Sequence, residues 1–297
     1  MITFKSKYIE EKVREKLKIE ESALTSEDLE RITGFLIDEN TEFSVPIVWS
    51  MDSSAYKMTL PNLHLNYSEM IKAEGWEDDL RLFSHIQALY CFAQIPLDVI
   101  KCYTELIDLT LYKVEISDWS FLAGLNDLRM IFLYKCGDGG NEAIKHICKL
   151  QYEQASFFRR TRVEDPHKSL SCNVLEYIAV IKMNINDLTP FRKARLIELD
   201  LSWNAIKDIS PLSETTAYSI SLRHNEIEDI KGLIFGSFML NLRHNKIKTI
   251  SPIIERKSRL PLHLYLDHND FPEKEREGFN KNDFIGEDFI RNNMREI

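Results

Sequence analysis

One eleven-residue phrase occurs four times in the second half of the chain. Its copies are LIELDLSWNAI from Leu196, AYSISLRHNEI from Ala217, SFMLNLRHNKI from Ser237 and PLHLYLDHNDF from Pro261. Successive side chains of a strand point to opposite sides, so the alternation predicts a strand with one apolar side, as with Leu199 and Leu201. A unit this short cannot bury its apolar side alone. The phrase therefore predicts a stack of similar units.

The Asn of each phrase stands where the strand ends and the chain must turn. Its amide can bond backbone groups that no strand partner reaches. The four residues Asn204, Asn225, Asn245 and Asn269 are therefore expected to form an internal ladder. After the turn, apolar residues recur at every third position, as in Ile206, Ile209 and Leu212, which is typical of a tight 3₁₀-like return segment.

The phrase L-x-x-L-x-L-x-x-N-x-I resembles the unit of leucine-rich repeats. The return segment I-x-D-I-x-P-L at 206–212 is similar to the internalin-type, short-repeat class of bacterial leucine-rich-repeat proteins, and the segment 9–35 resembles their N-terminal caps. The resemblance implies an α/β fold: a right-handed solenoid with a parallel sheet on the concave face and short 3₁₀ or irregular segments on the convex side. An N-terminal helical cap would precede it. We find no secretion signal and no L-P-x-T-G wall anchor, so the adhesin role of internalins is not expected.

The repeat register divides the chain into three predicted parts. These are an N-terminal helical cap at 1–58, a solenoid of about ten repeats at 59–271 and a C-terminal cap at 272–297. In the first cap, Leu29, Ile32 and Leu36 are expected on one buried helix face. The interval between Cys136 and Met183 is two units long, which predicts a degenerate repeat near Phe157–Val163.

Composition narrows the functional classes. A net charge of −9 argues against nucleic-acid binding. We find no apolar run long enough for a membrane helix and no signal-peptide pattern. The five cysteines form no C-x-x-C pair, which is typical of a reducing compartment and predicts a cytoplasmic protein.

Catalytic and metal-binding motifs are absent from the sequence, so we expect no enzyme activity, no cofactor and no metal site. His224, His244 and His268 occupy the same position of successive repeats, but each stands where the chain turns toward solvent. The glycine-rich GDGGN at 137–141 lacks the Lys and the length of a phosphate loop and is expected to be a turn.

The strand side chains that point away from the core supply the candidate binding face. Aromatic residues and arginine dominate protein-binding hot spots. The candidate residues are Tyr90, Phe92, Tyr112, Phe132, Tyr134, Tyr177, Trp203, Arg223 and Arg243. Two alternatives stay open: outward aromatic residues simply suit strands, or the segment 137–169 folds over them.

These observations predict a bacterial, non-catalytic scaffold that binds a protein partner on the concave face; a glycan ligand stays open. One alternative is an immunity-type or inhibitory protein that occludes a toxin or enzyme, since the acidic balance suits a basic target. A second alternative is an enzyme that uses the 137–169 insert, with residues such as Arg159, Arg160, Arg162, Asp165 and His167.

Overall fold

The computed structural model describes residues 2–39, 61–160, 175–231, 237, 239–254 and 263–276. Residues 40–58 of the predicted N-terminal cap and 277–297 of the predicted C-terminal cap lie outside the described residues, as does 161–169 of the insert. The domain boundaries at 58 and 271 stay predictions. The chain divides into two compact units, Met1–Gly137 and Asp138–Ile297.

The first unit contains five parallel strands. They are β1 (Gly34–Asp38), β2 (Leu63–Asn66), β3 (Ala88–Cys91), β4 (Asp108–Tyr112) and β5 (Met130–Tyr134), in the sheet order β2-β1-β3-β4-β5. Helices lie before and between these strands. They are α1 (Lys7–Leu17), α2 (Ser26–Leu29), α3 (Tyr67–Met70), α4 (Trp76–Arg81), α5 (Leu97–Ile100) and a 3₁₀ turn at Trp119–Gly124.

The second unit begins with the long helix α6 (Gly140–Arg160) and continues through five more parallel strands. They are β6 (Tyr177–Ile181), β7 (Arg195–Asp200), β8 (Thr216–Ser221), β9 (Met239–Asn241) and β10 (His263–Tyr265), in sequential sheet order. The connecting segments include 3₁₀ turns at Thr189–Phe191 and Ser210–Glu214, α7 (Ser251–Ile254) and α8 (Glu273–Arg276).

The leucines of the repeat face the core as the alternation predicts. Leu199, Leu201, Leu222 and Leu242 are fully buried, as is Ile206 on the return segment. Strand order, parallel register and buried leucines together confirm the predicted α/β leucine-rich-repeat fold.

The expected Asn ladder is present and closes each turn. In the second repeat phrase, the Asn225 amide donates to the carbonyls of Leu201 and Leu222 at 3.0 Å and accepts from the Ile206 amide at 3.1 Å. Asn204, Asn245 and Asn269 make the equivalent bonds in their own repeats. Each Asn therefore joins its own strand end to the preceding repeat.

Strand β1 lies in the segment that we predicted as helical. Helix α2 does start at Thr25, where the side chains and backbone amides of Thr25 and Asp28 cap each other, but it ends at Leu29. The next residues form a strand that inserts between β2 and β3, so Leu36 is paired with Tyr90 rather than packed on a helix. A Cβ on Gly34 would lie 2.5 Å from the Ala88 carbonyl oxygen, which explains why glycine starts this strand.

Helix α6 replaces part of the predicted degenerate repeat. Residues 157–160 belong to this helix, and 161–163 lie outside the described residues. Its start is fixed to the turn after β6: a Cβ on Gly140 would lie 2.3 Å from the Met183 carbonyl oxygen, and the Asn141 side chain bonds the Asn186 side chain at 2.8 Å. The insert is thus helical at 140–160.

Candidate functional site

The outer face of each sheet, meaning the strand side that points away from the leucine core, holds the candidate residues. In the first unit, strand pairing places Leu36, Tyr90, Thr110 and Phe132 in one row across the sheet. We did not predict Leu36 here, because β1 was taken as part of a helix. The short apolar run at 32–37 fits a strand as well as a helix, so no local signal separated the two.

Three aromatic rings lie in a row along the strand ends of the first unit, and two of them stack. The ring centroids of Phe92 and Tyr112 are 5.6 Å apart, and those of Tyr112 and Tyr134 are 4.7 Å apart with planes only 5° from parallel. The Lys113 Nζ lies 5.0 Å from the Tyr112 ring centre, and the Lys135 Nζ lies 5.7 Å from that of Tyr134. The result is an aromatic row bordered by two exposed ammonium groups.

Not every predicted aromatic residue is accessible. Tyr90 is 2% exposed, and its hydroxyl donates to the Asp108 carboxylate at 2.7 Å. Burial raises the pKa of Asp108 to about 7. Tyr134 and Tyr177 are also buried.

Of the predicted aromatic residues in the first unit, Phe92, Tyr112 and Phe132 are half-buried rather than buried. These three side chains are the part of the predicted face that can contact another molecule directly in this unit. The buried Tyr134 stacks on Tyr112.

The outer face of the second unit is polar and carries two neighbouring carboxylates. Glu198 and Asp200 lie two residues apart on β7, so both point to the same side. Burial, and secondarily the charge of Asp200, raises the pKa of Glu198 to about 8. Asp200 accepts hydrogen bonds from the backbone amide and the hydroxyl of Ser202. We did not predict either carboxylate as a site residue.

The two predicted arginines follow strands β8 and β9. Arg243 donates from Nε to Asp267 at 3.0 Å, and its guanidinium lies 4.7 Å from the Tyr265 ring centre. Its side chain is only 13% exposed. Arg223 is half-buried at the equivalent position of the preceding repeat. The guanidinium of Arg243 is therefore already bound by side chains of its own chain.

Trp203 forms one end of a ring ladder. Its ring stacks on His224 at 3.6 Å, and the next pairs, His224–His244 and His244–His268, are each 4.1 Å apart with nearly parallel planes. The Lys182 Nζ lies 4.3 Å from the centre of the Trp203 ring. Trp203 is 41% exposed, yet its ring has a close neighbour at each side, so mainly its edge is free for contact.

The ladder residues share one backbone conformation. Lys182, Trp203, His224, His244 and His268 all have positive φ angles, between 54° and 60°. This left-handed region is unusual for residues other than glycine. The common geometry lines up the side chains of successive repeats.

The described residues contain few side chains arranged for metal binding or catalysis. They include no group of three or more His, Cys, Asp or Glu side chains that could hold a metal ion. Burial raises the pKa of the Cys91 thiol to about 12 and that of Cys136 to about 11, which suppresses the nucleophilic thiolate. Cys136 occupies an Asn-ladder position, and its thiol contacts the Leu111 carbonyl at 3.3 Å. In the described parts of the chain, no helix is both long and apolar enough to cross a membrane.

No protein-family model and no curated protein matches this chain. Similar solved structures include the internalin inlF from Listeria monocytogenes, at 19% identity over 93% of this chain and 86% of that one, with a TM-score of 0.38. A leucine-rich-repeat protein of Leptospira interrogans is 19% identical over 67% of this chain and 47% of its own, with a TM-score of 0.45.

The functional domain of InlJ from Listeria monocytogenes is 14% identical over 91% of this chain and 52% of that one, again with a TM-score of 0.45. This chain thus spans about half the length of the Leptospira and InlJ structures. Likenesses at these scores add no functional argument. The chain has the leucine-rich-repeat fold, as its own repeats, its parallel strand register and its Asn ladder show.

Proposed function

We propose that the chain is a non-catalytic interaction scaffold that binds a protein partner through the outer face of its first unit. The observation that carries the proposal is the aromatic row of Phe92, Tyr112 and Tyr134, together with the half-buried Phe132 beside it. Aromatic surface clustered on a sheet face favours association, because covering it removes apolar area from water.

The chemistry of the row suits a protein better than a small ligand. Large, rigid rings supply contact area at low conformational cost, and such residues dominate binding hot spots. The ammonium groups of Lys113 and Lys135 are exposed, and within the described residues neither takes part in an ion pair. Carboxylates on the partner are the complementary groups for them.

The second unit, taken by itself, presents a polar outer face. Arg223, the edge of Trp203 and the half-buried Glu198 are partly accessible there. Asp267 and Tyr265 hold the guanidinium of Arg243 in place.

The test is a pull-down with the immobilised full chain, a native lysate and mass spectrometry. Replacing Tyr112 and Phe132 together by Ala is expected to remove the captured partner while the thermal unfolding midpoint changes little. The matched control replaces Ile71 and Leu82 by Ala, since both are exposed apolar residues on return segments of the same unit. Equal capture by the wild type and the Tyr112/Phe132 variant would rule out the proposed face.

A further inference from the structure

The ring ladder of the second unit has a property beyond partner binding. Its three imidazoles come from the turns after three adjacent strands, β8, β9 and β10, and stack at 4.1 Å. Each His is followed directly by a ladder Asn: Asn225, Asn245 or Asn269. Each ring and the Asn amide after it thus belong to the same turn. Repulsion between the rings therefore acts on the turns that the Asn amides close.

We propose that His224, His244 and His268 form an acid-sensitive clasp: neutral rings hold the turns after β8, β9 and β10 together, and protonation drives them apart. Two charges about 4 Å apart repel enough to change an equilibrium constant roughly fivefold even in the dielectric of bulk water, and more when partly buried. Neutral imidazoles carry no such repulsion and can stack.

Most of the charged groups around the clasp oppose the protonation of its histidines. Lys182 after β6 and Arg223 after β8 oppose a positive charge on His224, together with His244 and His268. For His244 the opposing groups are His268, Arg223 and Arg243, and Asp267 after β10 favours protonation. The strand between, β7, contributes the uncharged Trp203. Among the described groups that act on these two rings, the cations therefore outnumber the carboxylate of Asp267.

The direction of the pH effect follows from these surroundings. Burial is the largest cause that lowers the pKa of His224, from 6.5 to about 4, and burial also lowers the pKa of His244. Between these two pH values the two imidazoles bind more protons in the unfolded chain than in the folded one, so their contribution to stability falls as the pH is lowered. The stabilisation is complete above pH 6.5 and is lost as the pH falls toward 4.

The test compares the urea unfolding of the full chain at pH 7.5 and pH 5.0. In the test variant all three histidines are replaced by Asn, which stays neutral and tolerates a positive φ. The unfolding constant of the wild type is expected to rise at least tenfold more between these pH values than that of the variant. His146→Asn, a half-exposed position on α6, is the matched control and should keep the wild-type pH dependence.

Equal pH dependence in the wild type and the triple variant would overturn the proposal. If the triple variant does not fold, an NMR titration of the wild type decides, with the signal assigned through the single variant His224→Asn. The imidazole of His224 is expected to stay neutral at pH 5.5. A His224 titration midpoint near 6.5 would overturn the clasp.

Discussion

Tyr90 and Asp108 show how much the accessibility of an outer-face side chain depends on its neighbours. Strand alternation places Tyr90 on the outer face, yet its ring is buried and its hydroxyl is bonded to Asp108 on the adjacent strand. That contact is set by the register between β3 and β4, which joins residues about 20 positions apart. The sequence therefore predicts which side chains point outward but not which of them stay exposed.

The buried Asp108 carboxyl gives a prediction about pH. Its pKa is about 7 in the folded chain against 3.8 ordinarily, so the folded state holds the extra proton and the contribution of this carboxyl to stability falls as the pH rises from 4 to 7. Asp108→Asn keeps an acceptor for Tyr90 and removes the ionisation. We expect the variant to be more stable than the wild type at pH 8, by roughly 1–3 kcal/mol, and nearly equal at pH 4.

Urea unfolding at the two pH values measures this difference. Asp138→Asn is the matched control, because Asp138 is exposed and its replacement should change stability little at either pH. A variant Asp108→Asn that loses more stability at pH 8 than at pH 4 would show that the ionised carboxylate, rather than its neutral form, stabilises the fold.

The turns at the strand ends could be predicted in full from the repeat phrase, because one residue type at one position satisfies the same backbone groups in each repeat. The Asn225 side chain is buried and bonds three residues from two repeats. Cys136, which stands at the Asn position of its own repeat, contacts the equivalent carbonyl of Leu111. A local pattern is sufficient here because the contacts repeat with the sequence.

Removing one ladder amide leaves buried backbone groups without partners. We expect Asn225→Ala to lower the free energy of unfolding by about 2–3 kcal/mol, measured by urea denaturation at pH 7.5. Asn126→Ala is the control, since Asn126 is an exposed residue of a turn in the first unit. A loss for Asn225→Ala no larger than that of the control would mean that the ladder does not stabilise the turns.

Strand β1 and helix α6 could not be predicted from local patterns. The short apolar run at 32–37 fits a helix or a strand, and the strand forms because β2 and β3, both later in the chain, pair with it. Between β5 and β6, the repeat length suggested another unit. The close approach of Gly140 to Met183 instead fixes a 21-residue helix there. Both elements depend on contacts between distant segments.

For the molecule as a whole, the repeat determines the fold but not the partner. One phrase places leucines inward and frees the opposite side of each sheet, and the two units present different chemistry there: aromatic rings with lysines in the first, carboxylates and arginines in the second. Repeat folds host many unrelated partners, so binding has to be inferred from these side chains rather than from the fold.

Site-specific photo-cross-linking tests the proposed binding face most directly. A photoreactive phenylalanine analogue is placed at position 132, or at position 82 as the control, in the full chain, which is then irradiated in native lysate. Both sites carry half-buried or exposed apolar side chains of the first unit. We predict one protein adduct from position 132 and none from position 82. Adducts from position 82 alone would contradict the proposed face.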